Sequence, residues 1–174
     1  MARHWKRIFL TLFALFAVGL FNFTNQLIYR YQVPPGGDAV QHMKIVQAIL
    51  DGNFQTVSHY HFVWHLVIAG LTKLLSLPSI VIAAWTTPIL VALGALGMFL
   101  FNRRFFGFAA GIASLLLLGF FSLQPFQTLY DGGFPNFLAA TFVLPLTLVT
   151  IDQLFTSKKK FWSILLVIFA LVSL

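Results

Sequence analysis

Four carboxylates make up the whole acidic complement of these 174 residues, and none is a glutamate. One of them, Asp38, follows Pro34-Pro35-Gly36-Gly37 and opens an amphipathic segment. A second, Asp131, lies in a turn running from Gln124 to Pro135, directly before Gly132-Gly133. Two aspartates converging at one membrane face, in loops otherwise poor in charge, could hold a divalent cation or take a proton from an acceptor hydroxyl. Each also has a plain structural use. Asp38 with Gln41 makes an N-cap and capping box, and Asp131-Gly132-Gly133 suits an exposed turn.

Histidines follow Asp38. His42 stands at i+4, on the same helical face, and could share the aspartate's site or simply be a surface histidine. His59, His61 and His65 have spacings that invite a zinc reading. With no Glu in that motif and no cysteine, interfacial hydrogen bonding or contact with a lipid phosphate is the better account.

The composition defines what must position these groups. Apolar residues are 59% of the chain, charged residues 9%, and phenylalanine occurs 21 times. The mean hydropathy is +0.89. Several apolar runs are too long for a soluble core, so an all-α, polytopic integral membrane protein is expected. In a soluble domain the net charge of +7 would suggest a nucleic-acid partner. Here the basic residues cluster beside apolar runs, as topology signals do, and nucleic acid is discounted. Without cysteine there can be no disulfide, thiolate metal site or cysteine nucleophile within these residues.

The apolar run from Ile8 to about Tyr29 is long enough to cross a bilayer and lacks a cleavage motif, so it reads as an uncleaved first span. The sequon Asn22-Phe23-Thr24 lies inside it. Further apolar stretches run over 62–75, 79–101, 105–123 and 137–154, and a last begins at Phe161 and reaches the end of the chain, as expected for the N-terminal portion of a larger module. Gly94 and Gly97, and Gly107 with Gly111, are expected to permit close packing between spans. Trp64 and Trp85 suit an aromatic belt.

The orientation depends on 62–75. If that stretch crosses, four Lys/Arg lie inside and seven outside; if it does not, eight lie inside and only Arg30, Lys44 and Lys73 outside. The positive-inside rule favours the second arrangement. Length agrees, because 14 helical residues cover about 21 Å of a roughly 30 Å hydrocarbon core. The expectation is therefore about five transmembrane helices in a single transmembrane domain over 1–174, with the N-terminus cytoplasmic. Residues 30–78 form an external loop carrying two interfacial helices, and 124–136 a second external loop. In the first of those helices, Ala39, Met43, Val46 and Leu50 fall on one face and Gln41, Lys44, Gln47 and Asp51 on the other, before a stop at Gly52-Asn53.

These residues resemble a known superfamily. The pattern has an external Gly-Asp leading into an Ala/His-containing helix with an Asp-Gly-Asn-Phe exit, then a half-length helix with a histidine. A span ending in Asn-Arg-Arg-Phe-Phe-Gly follows, and a next span ends in an acidic turn. This looks like the start of a GT-C glycosyltransferase, a superfamily that includes oligosaccharyltransferase catalytic subunits and protein O-mannosyltransferases. It is also similar to the membrane proteins labelled as related to 6-pyruvoyl-tetrahydropterin synthase, in the Gly-Asp-Ala-x-x-His start and the Gly-x-Pro turn.

The resemblance implies transfer of a sugar from a polyprenyl-phosphate donor to an acceptor at the external face of a prokaryotic plasma membrane. Asp38 then matches the first-loop catalytic acid, and Asp131 the second-loop acid that helps bind a divalent cation (Mg or Mn) in the metal-dependent branch. His42 and His65 are candidate substrate contacts, and the implied partners are the lipid-linked donor and membrane lipids. The first loop departs from the pattern in having a single Asp rather than an Asp-x-Asp or Asp-Glu pair. The reading from another class is a non-enzymatic membrane subunit for lipid or polymer transport or assembly, whose external helices dock a partner.

Overall fold

The computed structural model describes residues 2–29, 37–53, 62–121, 134–157 and 160–173, with Asp38 described through its backbone only. Among these residues the chain is all-helical. The helices are α1 (Ala2–Tyr29), α2 (Gly37–Leu50), α3 (Phe62–Leu75) and α4 (Ser79–Phe106). They continue with α5 (Phe108–Leu116), which widens into a π turn at Leu117–Phe121, and α6 (Phe134–Leu138), which widens likewise at Ala139–Val143 and runs on as α7 (Leu144–Ser157). The last, α8, is Lys160–Ser173.

Three helical stretches are long and apolar enough to cross a bilayer, consistent with an integral membrane protein: His4–Thr24, Ser79–Phe106 and Asn136–Ser157. The other two expected spans fall on Phe108–Phe120 and on the 14 residues of α8, both shorter than a crossing over their described lengths.

α4 is the hub. At 28 residues it is about 42 Å long, and its buried residues include Ile82, Leu90, Val91, Ala95 and Phe99. Only Gly107, at φ 94°, separates it from α5. That left-handed conformation favours glycine, and a Cβ there would meet nothing within 4 Å. Gly107 is thus a turn residue, whereas the sequence reading expected close packing from it. Gly111, Gly94 and Gly97 do serve packing. A Cβ on Gly97 would fall 2.6 Å from Cα of Phe142, and one on Gly94 would fall 3.0 Å from the Phe137 ring. Glycine thus lets α4 approach the backbone of the second π turn, the kind of contact that holds helices together where lipid removes the hydrophobic drive.

α1 and α4 run antiparallel. Near one end of the bundle the rings of Phe23 and Trp85 lie 5.5 Å apart. At the other, Arg7 lies over Phe108, which packs edge-on against Phe99 near the end of α4. The Arg104 guanidinium pairs with Asp152 on α7 at this same end. Lys158, Lys159 and Lys160 follow Asp152 closely in sequence, but its described partner is the arginine on α4. The chain therefore leaves α1 and enters α4 at one end, and most of its described cations gather at the other.

A buried polar residue ties α1 to α5. The Asn22 amide donates to Val18 O (2.9 Å) and to Gly119 O (3.0 Å), and Gly119 has no room for a Cβ beside the Val18 side chain. Between α1 and α4, by contrast, an apolar groove of about 370 Å³ runs past Gly19 and Pro88.

These two settings of glycine give opposite expectations. Gly97→Ala forces a methyl into the backbone of 141–142 and should destabilise the bundle by about 1–3 kcal/mol. Gly19→Ala adds a methyl to open space and should leave thermal unfolding of the detergent-solubilised protein unchanged or slightly raised. Equal midpoints for the two variants would refute the packing described for α4.

Candidate functional site

The candidate site is built on α2 and α3, which precede α4 at the end of the bundle where α1 stops. α2 begins beside Asp38 because Pro34-Pro35-Gly36 cannot continue a helix. It ends in a Schellman motif. The amide of Asn53 donates to Ala48 O at 2.8 Å, that of Gly52 to Ile49 O at 3.1 Å, and Gly52 has φ 72°. Among the described side chains, which do not include that of Ala39, the faces fall as the sequence predicts. Val46 is buried and Met43 and Leu50 pack on the core, while Gln41, Lys44, Gln47 and Asp51 are exposed. Asp51 accepts from the Gln47 amide at 2.9 Å, which makes it a helix-end residue.

His42 belongs to the buried face, where it meets α3. Its Nδ1 lies 2.8 Å from Nε2 of His65, with the two residues 5% and 0% exposed. At that separation one ring nitrogen donates and the other accepts, so both cannot carry a proton there. Trp64 closes the cluster, edge-on to both imidazoles at 5.5 and 5.2 Å. It is buried at 8%, whereas the sequence places it in an aromatic belt. Its ring forms the wall of the histidine pair.

The structure thus brings together two of the four residues singled out from the sequence. Asp38 lies one turn before His42 on the same helix. Asp131 lies outside the described residues, as do His59 and His61. The flanks of its segment are described: Phe120 packs on Phe21 near the end of α1, at 5.0 Å, and α6 leads down α4 through Phe137 toward Asp152. Among the described residues no group of three His, Cys, Asp or Glu side chains gathers around one point.

Spacing alone misses two features. The direct His42–His65 contact joins residues 23 positions apart on separate helices, and only the presence of a histidine on each apolar face hints at it. Asn22 opens a sequon, and its polar side chain inside an apolar run is the sign of an interhelical bond. Comparison with known protein families, with curated proteins and with solved structures gives no match.

Because each imidazole leaves the other buried, the pair should be energetically coupled. His42→Leu and His65→Leu should each cost about 1–3 kcal/mol, and the double variant less than their sum, with a coupling of about 0.5–3 kcal/mol. A double-mutant cycle on unfolding midpoints checks this; simple additivity would mean that the contact contributes nothing.

Proposed function

We propose that the chain is part of a membrane glycosyltransferase of the GT-C type, which moves a sugar from a polyprenyl-phosphate donor to an acceptor at the external face, with Asp38 as the base. The observation that carries this reading is the position of Asp38. It stands in the first turn of a helix clamped to α3 through two buried imidazoles, at the end of the bundle opposite Arg7, Arg103 and Arg104.

The topology of the proposal follows from the antiparallel α1 and α4. Both ends of segment 30–78 sit at one end of the bundle, so the segment crosses the membrane an even number of times or not at all. α2 has an exposed polar face, and α3 has 14 residues, about 21 Å. The proposed arrangement therefore has neither crossing. Both helices lie along or dip into the external surface, with Arg7, Arg103 and Arg104 cytoplasmic, in line with the positive-inside rule.

In this reaction the acceptor oxygen attacks the anomeric carbon, the bond from that carbon to the donor's phosphate oxygen breaks, and polyprenyl phosphate leaves with the bonding pair. Asp38 receives the acceptor's proton; a carboxylate in a site of low polarity is suited to that. The histidine pair serves as a positioning device, because its burial keeps both rings behind α2 and fixes the helix that presents Asp38. A divalent cation, Mg or Mn, would be held by Asp131 with Asp38 and would neutralise charge on the donor phosphate.

Asp38→Asn in the full-length protein should lower sugar transfer from a polyprenyl-phosphate donor by roughly 10²-fold or more, with the protein still present and folded in the membrane. Turnover unchanged in a folded Asp38→Asn protein would instead favour a docking subunit of a transport or assembly system.

A further inference from the structure

The end of the bundle that carries no candidate chemistry contains a second arrangement of interest. Arg7 of α1 places its Cζ 5.2 Å from the Phe108 ring centroid, and Arg103 of α4 places its own 5.8 Å from that of Phe99. The two rings stand perpendicular with centroids 6.1 Å apart. Phe99 is buried at 1%, so the array is anchored in the core. Gly111 makes it possible, since a Cβ there would come within 2.9 Å of Arg103 Cβ and 3.0 Å of Phe99 O. Three helices thus join in a ladder of guanidinium, ring, ring and guanidinium.

Arg104, the neighbour of Arg103, is neutralised by Asp152. Among the described residues neither Arg7 nor Arg103 has a carboxylate partner, and both are exposed. A guanidinium seated on a ring keeps its planar fork of N–H donors along its edge, the geometry that grips a phosphate through paired hydrogen bonds. The setting selects the source of that phosphate. Both arginines stand near the ends of membrane-length helices, and exposed Phe9 and Phe106 at this level offer apolar surface for acyl chains.

We propose that Arg7 and Arg103 bind the phosphate headgroups of anionic phospholipids. Each guanidinium takes a phosphate at its own end of the ladder built by α1, α4 and the start of α5, as basic sites between membrane helices hold such headgroups. The site fixes the N-terminal span against the α4–α5 hairpin, and it is independent of the glycosyltransferase reading.

The test is thermal unfolding of the full-length protein in phosphatidylcholine nanodiscs containing increasing phosphatidylglycerol. The wild type should show a saturable rise in midpoint. Arg7→Gln with Arg103→Gln should weaken the apparent lipid affinity by at least about tenfold, because each guanidinium loses its charge-assisted hydrogen bonds to phosphate. Lys6→Gln, which removes one positive charge at a position outside the ladder, should leave the affinity within about twofold, whereas Arg7→Gln alone should weaken it several-fold. Phe108→Leu, which keeps both charges but removes one seat, should weaken it measurably and keeps the test open if the double variant fails to fold. Equal losses in Lys6→Gln and the arginine variants would reduce the effect to general surface charge and overturn the site. So would a midpoint rise reproduced by inorganic phosphate in pure phosphatidylcholine discs, because the ligand would then be the free ion.

Discussion

The antiparallel pairing of α1 with α4 is the constraint from which the rest of the arrangement follows. Phe23 against Trp85 fixes it toward one end, and the Arg7, Phe108, Phe99 and Arg103 ladder at the other. Once the first membrane-length helix and the next run in opposite directions, the 30–78 segment must begin and finish at the same end of the bundle. α2, α3 and the flanks of the segment containing Asp131 are thereby grouped at the end away from Arg7, Arg103 and Arg104, and any chemistry these residues perform together depends on that grouping.

Inside hydrocarbon the pairing cannot rely on excluding water, and the contacts show what replaces it. Glycines at 94, 97, 111 and 119 bring backbones together. Asn22 uses both hydrogens of its amide, one within its own helix and one across to Gly119, so the polar group is satisfied where an unpaired one would be costly. Ser114 does similar work between α5 and α4, donating to Gly111 O at 2.9 Å and approaching Met98 O at 3.2 Å. The Arg104–Asp152 pair is partly exposed, and a pair of that kind contributes at most about 1 kcal/mol. Its importance lies in registering α7 against α4.

Much of this was legible in the sequence, because hydrophobic runs and breakers are local. The bounds of α3, the start of α4 at Ser79 after Pro78, and the split of α2 into a core face and a polar face all follow from periodicity and punctuation. The close contacts at Gly94 and Gly97 follow from the presence of glycine within an apolar span. Other features were hidden for physical reasons. A π turn differs from α-helix by one residue per turn and leaves hydropathy unchanged, so Leu117–Phe121 and Ala139–Val143 gave no sign of themselves. Gly107 looked like half of a small-residue motif with Gly111, yet backbone geometry made one a turn and the other a contact. The pairing of His42 with His65 depends on how two helices dock, and residue type alone left a surface position open for His42, which is buried.

The most direct test of the account uses the absence of cysteine. Single cysteines placed at Asn53, after α2, at Ser76, between α3 and α4, and at Phe106, beside the α4–α5 turn, can be labelled in sealed vesicles with a membrane-impermeant thiol reagent. The account predicts that Asn53 and Ser76 label from one side and Phe106 only from the other. Labelling of Asn53 and Ser76 from opposite sides would mean that α3 crosses the membrane, and the site proposed around Asp38 would be wrong.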